Sequence, residues 1–258
     1  MCLIAFGWKP ASDLHLLVVA NRDEFHGRPS APLDSWPDQP DLLAGRDLEA
    51  KGTWLGVSRQ GRLAAVTNVR LPTPRAGGLR SRGDLAVNYL LDRSPPAAHL
   101  AALQAALPQY GPCNLLLADA DGASYASTQP GIPAQSLAPG LYGLSNATLD
   151  SPWPKVLRLK QAVAHWLHRR EYHDSAPLFT ALADTHTPAN AELPDTGVGL
   201  AAERFVAPAF IVGRDYGTRC STVVVIDAKG LGQISERRFG PQGMMLGESR
   251  FEFRWRLS

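Results

Sequence analysis

The order of element types constrains this chain most: strand patterns open it, helical periodicities fill its middle, and strand patterns return at its end. Residues 2–7 and 14–20 read as one hairpin, and 53–58 with 62–68 as a second, closed by Arg59, Gln60 and Gly61. Helical spacing follows at 84–92 and 96–107. Residues 114–118 and 123–127 then form a further hairpin, and 140–144 a short strand. The clearest helix runs from 152 to 170, with Val156, Leu159, Val163, Trp166 and Leu167 on its apolar face. Lys155, Arg158, Lys160, Arg169 and Arg170 fall to its polar side. A second helix covers 175–183, and 185–200, which has no periodicity, reads as a surface loop or lid. Strands return at 205–212, 221–227 and 233–238. The two ends of the chain are therefore expected to share sheets, in one α+β domain over 1–258 whose helices cover a sheet layer.

Composition removes several function classes. A net charge of +2 with scattered basic residues offers no stripe for nucleic acid. No apolar run approaches the length of about 20 residues that spans a bilayer, so no integral membrane association is expected. The first 20 residues lack a basic n-region and a small-residue cleavage site, which argues against export. Cys2, Cys113 and Cys220 are odd in number and widely spaced, unlike a disulfide framework or a CxxC site, and point to a reducing cytoplasm.

Candidate chemistry gathers at strand ends. Cys2 follows Met1, and removal of Met1 leaves a thiol and a free α-amine on one residue. With ordinary pKa values of about 8.5 and about 7.7–8.0, the amine can take the thiol proton. Asn21, Arg22, Asp23 and Glu24 stand directly after the second strand. If that strand pairs antiparallel with the first, residues 20–22 lie opposite the start of the first strand, within side-chain reach of Cys2. Asn68 ends a strand, where an Asn either stabilises an oxyanion or closes a turn. Asn146 follows Ser145 ahead of the long helix, for which Asp150 or Ser151 is the better-placed cap. Arg219 stands at the entrance of the strand 221–227, where it is either a surface side chain or a fork that fixes a carboxylate or polarises a leaving group. His165, His168 and His173 have no carboxylate or cysteine nearby to complete a metal site, so none is expected.

Taken in order, Met1-Cys2, Asn21–Glu24, Gly45-Arg46-Asp47, Gly52-Thr53-Trp54-Leu55-Gly56, Thr67-Asn68, Ser81-Arg82-Gly83, Cys113–Leu116, Gly143–Asn146 and Tyr216–Arg219 resemble the NRDE proteins, the transport-and-Golgi-organisation protein 2 family. The resemblance spans nearly the whole chain. It implies an N-terminal-nucleophile hydrolase-like fold, a four-layer αββα sandwich of two stacked antiparallel sheets, similar to choloylglycine hydrolases and penicillin V acylases. It further implies Cys2 as nucleophile, Arg22 and Asp23 as its orienting pair, Asn68 and Asn146 around the oxyanion, and Arg219 as the late arginine. Asn21, Glu24, Trp54 and Thr67, within the same motifs, are expected to meet substrate. Those relatives read Arg-Asn-x-Asp where this chain has Asn21-Arg22-Asp23-Glu24, so the division of roles within that segment stays open. The implied ligand is a small-molecule acyl amide or thioester, with no cofactor. A rival expectation is a haem-binding or haem-trafficking protein using His26 or Cys2, and a third is a non-catalytic acyl-lipid or trafficking factor. The loops 71–78 and 185–200 are expected to shape the pocket.

Overall fold

β1 (Cys2–Ala11) and β2 (Leu14–Phe25) form the first hairpin, and Cys2 lies opposite Arg22 as register counting predicts. The structure, a computed structural model, describes residues 2–72 and 80–257; most of the expected pocket loop 71–78 lies outside them. Four strands follow: β3 (Ser30–Trp36), β4 (Gln39–Asp47), β5 (Leu55–Ser58) and β6 (Arg62–Asn68). The first helices are α1 (Arg82–Leu91) and α2 (Pro96–Leu103). Next come β7 (Cys113–Ala118), β8 (Ala123–Ser127), β9 (Gln135–Ser136) and β10 (Gly140–Leu144). After α3 (Pro154–Arg169), α4 (Ala176–Leu182) and α5 (Leu200–Phe205), the chain closes with β11 (Tyr216–Asp227), β12 (Leu231–Phe239) and β13 (Met245–Arg254).

All the ladders are antiparallel. One sheet has the order β10-β1-β2-β11-β12-β13, so the two chain ends do share it; the other runs β3 to β9 in sequence order. Strand alternation then sorts side chains into layers. Ile4, Phe6, Trp8, Leu16 and Val18 meet Leu43, Leu55, Val57, Leu63 and Leu116 between the sheets. Leu3, Ala5, Leu17 and Val19 point the other way, against Val156, Leu159, Val163 and Trp166 of α3 and Leu178 and Leu182 of α4. On the far side, Leu42, Ala64, Val66 and Leu117 pack against Leu85, Tyr89 and Leu90 of α1. Three apolar seams between four layers make the αββα sandwich, each fully buried large apolar side chain contributing about 1.5–3 kcal/mol. Among the described residues no helix is long and apolar enough to cross a membrane.

Several expectations are corrected. Strands β3 and β4 carry Pro32 and Pro40, which hides them in sequence; β3 is a sheet edge, where proline is tolerated. β13 is likewise unanticipated. No strand forms over 205–212: α5 ends at Phe205, and the segment after it contains Pro208. There the Val206 and Ala209 carbonyls accept from the Lys155 and Asn21 side chains instead of a ladder. α3 starts with Trp153 as its N-cap and no side-chain cap, so neither Asp150 nor Ser151 caps it. Asp150 instead accepts from the Gly143 amide at 2.8 Å and from Lys160 Nζ at 2.6 Å. Lys155 is buried rather than solvated.

Gly143 sets how closely α3 approaches β10. A Cβ there would stand 2.4 Å from Val156 Cγ1 and 2.8 Å from Lys160 Cδ. Gly143→Ala is expected to push the first turns of α3 outward and cost about 1–3 kcal/mol, as overpacking does. Urea unfolding at constant slope measures it, and an unchanged midpoint would refute the close-approach argument.

Candidate active site

The expected residues assemble at one end of the six-stranded sheet, where β1 begins, β2 ends and β11 begins. Arg22 is opposite Cys2 on one side and Cys220 on the other, Asp23 is opposite Thr218, and Phe25 opposite Tyr216. The ladder with β11 is irregular between Thr218 and Cys220, which sets Arg219 apart. Alternation divides the Asn21–Glu24 segment: Arg22 follows Ala20 and Val18 toward the second sheet, whereas Asn21 and Asp23 follow Val19 toward the helices. The expected orienting pair thus approaches Cys2 from opposite faces of β2.

On the inter-sheet face, Cys2, Ala20, Arg22, Trp54, Val66 and Thr222 line a narrow cleft. Arg22 is only 6% exposed. Its guanidinium carbon lies 4.2 Å from the Trp54 ring centroid, and Nη2 lies 3.8 Å from Asp47 Oδ2. Nη1 has no hydrogen-bond partner although it is buried. The Trp54 ring fits because Gly45 has no side chain; a Cβ there would fall 2.3 Å from Trp54 Cζ2. Asp47 accepts from Arg28 Nε at 2.6 Å. Against the upward push of burial, Arg28 and the Ala50 and Glu49 amides hold the Asp47 carboxyl below its ordinary range. Asp47 therefore stays ionised and is mostly satisfied by Arg28, leaving part of the Arg22 fork to the cleft.

Cys2 itself is half-buried. Burial pushes its thiol up; the charge of the amino terminus and Arg22 pull it down, while Asp23 and Glu24 push it up. On the helix-facing side, Asp23 is buried and accepts from Thr218 Oγ1 at 2.7 Å. Burial raises the Asp23 carboxyl, opposed by Lys155, the amino terminus, the Thr218 hydroxyl and Arg22. The Tyr216 phenol is driven up by burial and then by Asp23, Glu24 and Cys2, so it stays protonated. Beyond it, Arg70 pairs with Glu203 and its guanidinium carbon lies 4.8 Å from the Trp153 ring centroid.

A buried polar chain fixes the Cys2 backbone. Ser145 Oγ donates to the Cys2 carbonyl at 3.0 Å, and Thr67 Oγ1 donates to the Ser145 carbonyl at 2.8 Å. Asn114 Nδ2 donates to Thr67 Oγ1 at 3.1 Å and to the Ala147 carbonyl at 2.7 Å, and Tyr125 donates to Asn114 Oδ1 at 2.8 Å. Asn146 Nδ2 donates to the Asn68 carbonyl at 2.7 Å, tying the end of β6 to the segment after β10.

These contacts redistribute the expected roles. Asn21 donates to the Leu182 and Ala209 carbonyls and accepts from Ser221, so its amide clamps β2 to the helix layer and has no donor left for substrate. Thr67 is fully buried and spent on Ser145. Glu24 is half-buried and accepts from the Phe25 amide. Arg219 donates to the Phe25 and Arg28 carbonyls and to Ser30 Oγ, which pins the turn after β2. Cys2, Arg22, Trp54 and Asp23 surround the start of β1; Asn68 is half-buried at the end of β6. His26 is half-buried near Gly217, and burial, then Arg219, pushes its imidazole pKa down. Among the described residues no three His, Cys, Asp or Glu side chains form a metal-holding group.

Sequence reasoning missed Lys155. The signal was present: Lys155 is four residues before Leu159 and eight before Val163, on the buried stripe of α3 rather than its polar side.

The family model described as Transport and Golgi organisation 2 matches residues 1–241. The Transport and Golgi organization 2 homolog of Mus musculus is 33% identical over 256 residues, covering 92% of this chain and 92% of that protein. The Homo sapiens homolog is 32% identical over 273 residues, covering 98% and 99%. Among solved structures, a variant of the conjugated bile acid hydrolase from Clostridium perfringens is similar at a TM-score of 0.47 and 9% identity, covering 100% of this chain and 99% of that one.

Proposed function

The chain belongs to the Transport and Golgi organisation 2 family, and from that premise we propose that it is an N-terminal cysteine hydrolase, cleaving an amide or thioester bond through an acyl-enzyme at Cys2. The observation that supports this reading best is the placement of Cys2: half-exposed at a strand start, between a cleft holding the unsatisfied Nη1 of Arg22 and the buried Asp23 carboxylate. Removal of Met1 puts an α-amine beside a thiol that burial otherwise keeps protonated. The amine takes the thiol proton, and the sulfur forms a bond to the substrate carbonyl carbon. The ammonium returns its proton to the leaving amine or thiol as that bond breaks. Water, deprotonated by the same amine, then releases the acid from the thioester. Arg22 offers a fork to a substrate carboxylate or oxyanion. Asn146 has a second amide hydrogen beyond the one given to Asn68, and with the Asn68 amide it is the donor assigned to the oxyanion.

Alkylation at graded pH, read by peptide mass spectrometry at each cysteine, tests the reading. Burial pushes Cys113 up to about 12 and Cys220 well above its ordinary value, so neither competes at neutral pH. The expected result is a protein without Met1 in which Cys2 is modified at least about 100-fold faster than Cys113 and Cys220. Retention of Met1, or equal reactivity at all three, would overturn the assignment.

A further inference from the structure

β13 is the outermost strand of the six-stranded sheet, so the backbone groups along its outer side have no ladder partner among the described residues. From Gly247 to Arg254 it pairs with β12 without a break and contains no proline. Phe253 belongs to the inter-sheet core and Phe251 packs against it. Alternation therefore turns Glu248, Arg250, Glu252 and Arg254 to the opposite face, where all four are exposed. The sign of the charge changes at every position of this row. Arg237 of β12 donates to Glu248 at 2.8 Å, and Arg250 stands 4.0 Å from Glu252. Arg254 makes no ion pair among the described residues. The exposed run Met244–Leu246 lies directly before this stretch and adds apolar surface to the same edge.

We propose that β13 is the interface of a homodimer, in which two copies pair antiparallel through residues 248–254 about a two-fold axis at Phe251 and join their six-stranded sheets. Copies that meet edge to edge across a two-fold axis run antiparallel, and the pleat allows only registers that keep residues of one face together. With the axis at Phe251, Glu248 falls opposite Arg254 of the second copy and Arg250 opposite Glu252, so every charge of the row meets its opposite. Moving the axis by one residue reverses this. At Arg250, that arginine meets its own copy and Glu248 meets Glu252; at Glu252, that glutamate meets its own copy and Arg250 meets Arg254. Opposite charges directly across a strand pair are favourable and like charges unfavourable, so one register is selected. It also extends the existing ladder, because Arg237, Glu248 and Arg254 of the second copy then stand side by side with alternating sign. The partner is a second copy of this chain, since the row is complementary to itself. β12, β11 and β2 separate β13 from the strand of Cys2, so the interface stands apart from the reading of that site.

The test is sedimentation of the full-length protein over a range of concentrations at low salt, where exposed charges are least screened. Wild type is expected to dimerise with a dissociation constant of about 10–100 μM, as a contact smaller than a standard interface gives. Arg250→Glu sets a carboxylate against Glu252 of the second copy in both directions, and is expected to raise that constant at least about tenfold. The double variant Arg250→Glu/Glu252→Arg restores opposite charges in the same register and is expected to return it to within about threefold of wild type. Both side chains are exposed, so the fold does not depend on them, and melting curves check this. If Arg250→Glu unfolds, Glu252→Arg, which sets arginine against Arg250 by the same pairing, takes its place. Amide exchange at 248–254 in wild type should slow as concentration passes the dissociation constant, a readout that needs no variant. A wild type that stays monomeric throughout, or exchange at 248–254 that ignores concentration, would overturn the interface. So would a dimer that Arg250→Glu leaves unchanged, since another surface then associates, or one that the single and double variants weaken equally, since the charge register then decides nothing.

Discussion

Cys2→Ala is expected to lower turnover of an acyl amide or thioester by more than about 10³-fold, because the covalent route disappears with the sulfur. Stability should change by less than about 1 kcal/mol. The side chain is half-buried, so its loss leaves no sealed cavity. The contacts that place it are made by backbone: the ladder to Arg22 and the carbonyl that accepts from Ser145 survive the substitution. Cys2→Ser retains the geometry with a hydroxyl far less acidic than the thiol and without its sulfur nucleophilicity, and should leave only a small residue of the activity. Activity assays paired with thermal unfolding separate the outcomes. Full turnover in Cys2→Ala would end the nucleophile assignment, whereas a collapsed melting curve would show that Cys2 serves packing.

The largest loss of stability is expected at Asn114, which lies in one of the motifs quoted from the sequence but was given no role there. Asn114→Ala removes the acceptor of the Tyr125 hydroxyl, one of the two partners of the Thr67 hydroxyl and the amide that donates to the Ala147 carbonyl, in a region where Asn114 and Thr67 have no solvent exposure. Losing a buried partner costs about 1–3 kcal/mol for each group left unsatisfied, and small cavities add to that. A total of about 3–5 kcal/mol is expected, lowering the melting temperature by roughly 10 °C for a chain of this size. The same change takes away the donor that fixes the Thr67 hydroxyl, and so loosens the chain through Ser145 to the Cys2 carbonyl. Cys2 alkylation should therefore lose its selectivity before the protein melts. A shift below about 1 kcal/mol would mean that water replaces the amide without strain.

The hairpin carrying Cys2 and Arg22 was legible because a five-residue apolar run, Leu16–Ala20, ending in four polar residues leaves little freedom of register, and one slip would expose its whole buried face. The strand at 140–144 and the helices α1, α3 and α4 were legible for the same reason, a clean period. β3 and β4 were not, because their prolines resemble loop chemistry; Pro32 is acceptable in an edge strand, and Pro40 near the start of β4, ahead of its pairing with β5 from Leu42. Asn21 and Arg219 looked like ligand contacts because their partners are backbone carbonyls about 160–190 residues away in one case and in a remote turn in the other. Local spacing carries no trace of such partners. Lys155 hid behind its charge: the stripe it shares with Leu159 and Val163 was readable, but a lysine is ordinarily assigned to solvent.

The three-strand register around Arg22 also governs how the protein meets oxidants. Cys2 and Cys220 both face Arg22 from opposite neighbours of β2. Their Cα atoms are therefore two strand spacings apart, about 9.5 Å, beyond the roughly 7 Å that a disulfide can bridge. Cys113 sits in the other sheet, buried against α1 and α2. A sulfenic acid formed at Cys2 thus has no thiol in its own chain to resolve it. It is either rescued by a small thiol entering the cleft or carried on to the sulfinic acid, so the lifetime of the site is set by the reducing power around the protein.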